Sequence, residues 1–198
     1  MLELAYFQSL SRAYRRGDIS AVYPVARGTA PVLAALVGLF ILREKLTTLQ
    51  AVGVGVLVVG IWLARPPLRS RSALVPALLT GVFIAAYTTV DRLGVRMGPF
   101  WLYAYAHFVA TSITLVPWMR RGVLSQAVPV GVLSVTAYGL ALAALSLAPL
   151  ALVAPLRESG VVLVAVWGVF RMGERERASL KLAGAAVVLA GAALLVAG

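Results

Sequence analysis

The stretch Leu46-Thr47-Thr48-Leu49-Gln50-Ala51-Val52-Gly53-Val54-Gly55-Val56-Leu57-Val58-Val59-Gly60-Ile61-Trp62-Leu63-Ala64 carries no charge from end to end. About 20 apolar residues in a helix cross the hydrocarbon core of a bilayer, so this stretch reads as a membrane span. It has to be helical, because lipid offers no partner to a free backbone N–H or C=O. The reading extends outward in both directions. Further apolar stretches run over Ile19–Leu42, Ala73–Val90, Pro99–Trp118, Val128–Leu147, Pro149–Phe170 and Ala178–Gly198. Short polar breaks separate them, and only the one around Ala148-Pro149 lacks charge. The expected fold class is an all-α membrane protein, a bundle of six to seven transmembrane helices.

Composition agrees. Apolar types make up 61% of the 198 residues, and the mean hydropathy is +0.93. A globule of this size leaves much of its chain exposed and cannot hide that much apolar surface from water. Membrane lipid is therefore the expected surrounding partner. The absence of cysteine excludes disulfides and thiolate metal sites. The net charge of +11 is not a nucleic-acid signature: all Lys and Arg except Arg27 and Arg157 flank apolar runs, as topology signals do, and no basic face interleaved with aromatics exists. Met1 to Leu10 lacks a basic start and contains Glu3, unlike a secretory signal peptide. Met1 to Tyr14 has Leu2, Ala5, Tyr6 and Leu10 at helical spacing but is too short to span, so it is expected to be part of a helix or an interfacial one. Trp62, Trp101, Trp118 and Trp167 all lie near span ends, as in an aromatic belt.

The chain also repeats itself. Val22-Tyr23-Pro24-Val25-Ala26-Arg27-Gly28 matches Val153-Ala154-Pro155-Leu156-Arg157-Glu158-Ser159, and Leu42-Arg43-Glu44-Lys45-Leu46 matches Met172-Gly173-Glu174-Arg175-Glu176. Gly53 and Gly60 recur, one residue out of step, as Gly184 and Gly191. Five crossings separate the copies, an odd number, so they enter the membrane in opposite directions. That is an inverted-topology repeat, an architecture of secondary transporters. Glycines seven apart share a helix face, which predicts small-residue stripes for close helix approach, within the bundle or in a homodimer.

Arg27 and Arg157 with Glu158 lie inside apolar stretches, where each charge costs on the order of 2.5–3.5 kcal/mol on insertion scales. Such groups face a cavity or a partner. Guanidinium groups clamp carboxylates well, so Arg27 and Arg157 are expected to bind a substrate anion near the midplane, with Glu158 as counter-ion or proton carrier and Tyr23 lining the site. An internal salt bridge locking the two halves is the structural alternative. Pro24, Pro31 and Pro155 each remove a backbone donor from the same helices. His107, the only histidine, lies mid-span and is a second candidate for proton coupling; a satisfied core histidine is its ordinary reading. Asp91, beside Arg92, reads as a solvated helix end. Tyr23, Tyr87, Tyr103, Tyr105 and Tyr138 can line a cavity or simply pack. No set of residues has metal-ligand spacing, and no nucleophile–base–orienter set exists, so neither a metal, a cofactor nor an enzyme is expected.

The sequence from Gly17-Asp18-Ile19-Ser20 through Tyr23-Pro24-Val25-Ala26-Arg27-Gly28-Thr29-Ala30-Pro31 resembles the fourth helix of EamA-type members of the drug/metabolite transporter superfamily. Arg43-Glu44-Lys45-Leu46 resembles that family's Gly-Glu-Arg-Leu turn, and Gly53 to Gly60 its fifth helix. Tyr87-Thr88-Thr89-Val90-Asp91-Arg92 is similar to the end of its sixth. Pro155-Leu156-Arg157-Glu158-Ser159 with Gly173-Glu174-Arg175 is similar to its ninth helix and the turn after it. The resemblance divides the chain into residues 1–64, the C-terminal part of a first repeat, a linker over 65–72, and a second repeat over 73–198. Against the family's ten helices, the first two and part of the third are missing. The resemblance implies alternating-access transport of a small polar metabolite, such as an amino acid, across the cytoplasmic membrane. The missing helices leave room for another reading: a non-transporting membrane subunit needing a partner chain, or a truncated, inactive remnant.

Overall fold

A computed structural model describes residues 2–16, 19–64, 71–115, 124–171 and 178–198. The described residues are helical apart from short turns. The helices are α1 (Leu2–Arg16), α2 (Ile19–Leu36), α3 (Thr48–Ala64), α4 (Arg71–Gly94), α5 (Phe100–Leu115), α6 (Leu124–Leu147), α7 (Leu150–Arg157), α8 (Val161–Phe170) and α9 (Ala178–Ala197). A π-helical turn, Val37–Ile41, extends α2, and a 3-10 turn, Glu158–Gly160, joins α7 to α8. Among the described residues, three helical segments are long and apolar enough to cross a membrane: Ser72–Gly94, Val128–Leu147 and Ala178–Ala197. Val25–Ile41 and Thr48–Leu63 are shorter apolar helices. Each of the seven apolar stretches read from the sequence is helical where described apart from one or two residues at its ends, but the sixth is not one helix. It breaks at Glu158.

The chain folds as two compact units, Met1–Thr89 with Pro149–Gly198, and Val90–Ala148. In the first, α3 and α9 make the most extensive helix contact, and glycine makes it possible. A Cβ on Gly53 would lie 3.0 Å from the Gly191 carbonyl oxygen and from the Leu195 nitrogen. One on Gly60 would lie 2.6 Å from the Val188 nitrogen and 2.9 Å from the Gly184 oxygen, and one on Gly191 2.5 Å from the Leu57 nitrogen. Backbone meets backbone, which only glycine permits. Rising numbers on α3 meet falling numbers on α9, so the pair is antiparallel. The expected small-residue stripes are therefore packing faces within this chain. Leu57, Ile61, Val188 and Leu195 fill the seam, joined by Ala35 of α2 and Ala151 of α7.

The 15-residue α1 has Glu3 in its first turn and Arg15 and Arg16 in its last, each sign at the favourable end of the helix dipole. It is too short to span, as its sequence predicts. Its Ala13 packs with Val22, Val25 and Ala26 of α2 and with Ala73 and Ala77 of α4. Hydroxyl groups in α4 are satisfied by their own helix: Thr80 donates to the Pro76 carbonyl at 2.8 Å and Thr88 to that of Ile84 at 2.7 Å. Among the described residues, no buried side-chain nitrogen or oxygen lacks a partner.

The second unit carries the outward-facing α6, where Val130, Val132 and Leu133 are 60–69% exposed. An apolar surface of this kind needs a non-aqueous neighbour, and lipid is the one the composition predicts.

Candidate functional site

Two polar clusters stand out, one in each unit. The first is built on the interruption between α7 and α8. Pro155 has no N–H for the Ala151 carbonyl, and the helix gives way to the 3-10 turn directly after Arg157. Glu158 opens that turn. Its Oε1 lies 3.3 Å from Nη1 of Arg27 on α2, forming an ion pair with side-chain exposures of 33% for Arg27 and 11% for Glu158. Arg157 donates from Nη2 to the Tyr87 hydroxyl at 3.3 Å and lies within electrostatic reach of Arg27 and Glu158. Thus three of the residues expected to form the site converge. Tyr23 contributes nothing that can be described, because its side chain and that of Pro24 lie outside the described residues.

The partners of this cluster are positioned by close packing. Gly81 of α4 lies against Ala26 and Thr29 of α2, where any Cβ would collide with the Thr29 side chain. That contact brings Tyr87 and Thr88, two turns further along α4, towards Arg157. Trp62 of α3 donates its indole N–H to the Gly28 carbonyl at 3.1 Å, so it holds α2 rather than serving only as a belt residue. Trp101 and Trp167 are exposed, as a belt requires, and Trp118 lies outside the described residues. A cleft lined by Pro31, Ala34, Ile84, Thr88, Arg157 and Glu158 opens here, with room for little more than one water molecule (≈ 10 Å³ open to water centres).

The other end of α7 is held from a distance. Pro149 stands at its N-cap and offers no side-chain hydrogen bond. Glu44 supplies the missing carboxylate: Oε1 accepts from the Leu150 N–H at 2.9 Å and Oε2 from the Ala151 N–H at 3.0 Å. The π turn aims it there. Leu42 N–H bonds to the Val37 carbonyl and Glu44 N–H to that of Gly38, both at 2.9 Å. Arg43 takes the left-handed conformation with φ 52°. Gly38 gives the carboxylate its space, since a Cβ there would lie 2.6 Å from Glu44 Oε2. The matching turn of the second copy, around Glu174, lies outside the described residues.

The second cluster corrects an expectation. Asp91 does not end a helix in solvent; α4 continues to Gly94, and Asp91 is 2% exposed. Its Oδ1 accepts from the Tyr103 hydroxyl at 2.9 Å and its Oδ2 from the Tyr138 hydroxyl at 2.5 Å. The phenols shield it, one from α5 and one from α6, and a ring lying on Gly94 brings Tyr103 close. Arg92, 7% exposed, donates to the Leu145 carbonyl near the end of α6. His107 stacks on Tyr138 with ring centres 4.8 Å apart, and its Nδ1 lies 3.9 Å from Asp91 Oδ1. Tyr105, by contrast, is 68% exposed and lines neither cluster. Among the described residues, no group of three or more His, Asp or Glu can hold a metal ion. Comparison of the chain with family models gives no match, and comparison with curated proteins gives none either.

Proposed function

We propose that this chain is a multi-pass protein of the cytoplasmic membrane that moves a small polar, anionic metabolite by alternating access. One observation carries the reading: an otherwise apolar stretch breaks at Glu158, and the break presents Arg157 and Glu158 beside Arg27 of another helix. Interrupted helices that expose charged groups at mid-depth are how membrane carriers build substrate sites. Two guanidinium groups suit a carboxylate, and Glu158 can trade its bond to Arg27 for a proton when an anion binds.

The glycine seam supports the inverted-repeat part of this reading. In the sequence match Gly53 corresponds to Gly184 and Gly60 to Gly191. The contacts Gly53 with Gly191 and Gly60 with Gly184 are exchanged into each other by that correspondence. A two-fold axis relating the copies gives this reciprocity, as in any isologous pairing. On this reading the chain is a bundle of six to seven transmembrane helices with inverted-topology repeats, related to EamA-type carriers.

The tightness of the cleft favours a second reading, a non-transporting subunit in which Arg27 and Glu158 lock α2 to α7. One experiment separates them. The purified chain is heated in detergent with a panel of amino acids and small carboxylates, as wild type, Arg27→Ala and Arg157→Ala. A carrier shows a ligand-induced rise in melting temperature that both variants lose, and uptake of the same compound into liposomes. A rise retained equally by both variants would end the site assignment, and no response to any compound, with no uptake, would favour the subunit.

A further inference from the structure

We infer that the Asp91 cluster of the second unit is a proton-binding site, in which His107 takes the proton and Asp91 is its fixed counter-ion. The inference stands apart from the transport reading, because it concerns proton affinity rather than movement of a solute.

The geometry distinguishes the two places where a proton can land. Both Asp91 oxygens already accept from phenols. Adding a proton to the carboxylate removes the charge that strengthens both phenol bonds and adds an O–H that needs an acceptor of its own. Adding it to the imidazole disturbs neither bond. It creates an imidazolium whose Nδ1 stands 3.9 Å from an oxygen of the carboxylate, an attraction strengthened by burial. His107 is also the more accessible partner, with a side-chain exposure of 14% against 3% for Asp91. Among the described residues, Tyr103 on α5 and Tyr138 on α6 face the pair, and Arg92, next to Asp91 on α4, is bonded to the α6 carbonyl of Leu145. The phenols hold the carboxylate in place while the imidazole, stacked on Tyr138, gains or loses its proton. Uptake of one proton from water converts neutral imidazole to imidazolium, and release reverses it.

The chain has a single histidine, so one imidazole signal reports the site. The full chain, labelled with 15N-histidine in detergent micelles, is titrated as wild type and Asp91→Asn. The expected result is a loss of proton affinity at the imidazole of tenfold or more in the variant, a displacement of at least one pH unit. Superimposable titrations would overturn the inference. Tyr103→Phe guards against a misfolded Asp91 variant: it leaves both titrating groups and removes the phenol that competes for Oδ1. A threefold or larger gain in proton affinity supports the pairing, and an unchanged titration overturns it.

Discussion

The two units bury their polar groups in opposite ways. In the first, a charge meets a charge: Arg27 faces Glu158 beside a cleft, and both retain some exposure. In the second, a carboxylate that is 2% exposed is surrounded by neutral phenols and an imidazole. The glycines differ in the same sense. Gly53 and Gly60 of α3 and Gly191 of α9 meet backbone, whereas a Cβ on Gly131 or Gly139 of α6 would meet nothing within 4 Å. The first unit is thus a tightly packed frame with an adjustable ion pair at a helix break. The second is a loosely packed helix pair fastened by one closed polar cluster. A charge can be kept in an apolar chain by an opposite charge that water can reach, or by donors that exclude water, and the two solutions respond differently to substitution.

The largest expected effect tests the packing half of this contrast. Gly191→Leu drives a side chain into the Leu57 backbone and should destabilise by on the order of 3 kcal/mol, seen as lost yield and lost cooperative melting in detergent. Gly139→Leu should leave both within error. Equal behaviour of the two would erase the difference between the units.

Next come the carboxylates. Asp91→Asn points an amide at two phenols that were donating to an anion, leaving donors facing one another; the cost should be about 1–3 kcal/mol. Glu158→Gln keeps one acceptor for Arg27 in a site near water and should cost less than about 1 kcal/mol. Melting temperatures of the two proteins should fall in that order. The reverse order would mean that the ion pair, not the phenol cluster, is the costlier one to disturb.

A third test concerns the far end of the broken helix. Glu44→Ala removes the acceptor for the Leu150 and Ala151 N–H groups, at a cost of about 1 kcal/mol typical of a lost helix cap. If α7 is held only by its packing, the variant melts with wild type. The smallest effect is a gain. Arg43 has φ 52° at a position that the second copy fills with Gly173, so Arg43→Gly should be neutral or stabilising by up to about 1 kcal/mol.

The apolar helices were legible because lipid imposes a length and a composition on them. The glycine stripes announced close approach, but a period of seven names a face and not the partner; that α3 meets α9 rests on contacts between distant segments. Arg27, Arg157 and Glu158 were legible as charges in the wrong solvent. Their division of labour was not, since Tyr87 reaches Arg157 from 70 residues away. Asp91 misled for the same reason. A polar pair at the end of an apolar run looks solvated until Tyr138, 47 residues later, supplies the donor that buries it. Glu44 reads in the sequence as half of a repeated turn, and nothing local shows that its carboxylate completes another helix.

The seam between α3 and α9 also sets a timetable for synthesis. Gly60 leaves the ribosome about 130 residues before Gly191, which at roughly 5–20 residues per second is a delay of about 7–26 s. Throughout that interval the glycine face of α3 lacks its native partner, because α9 has not yet been made. Glu44 likewise waits for Leu150. The first unit therefore closes only once α9 has been made. Any chain cut short before α9 would leave the backbone-lined face of α3 unfilled.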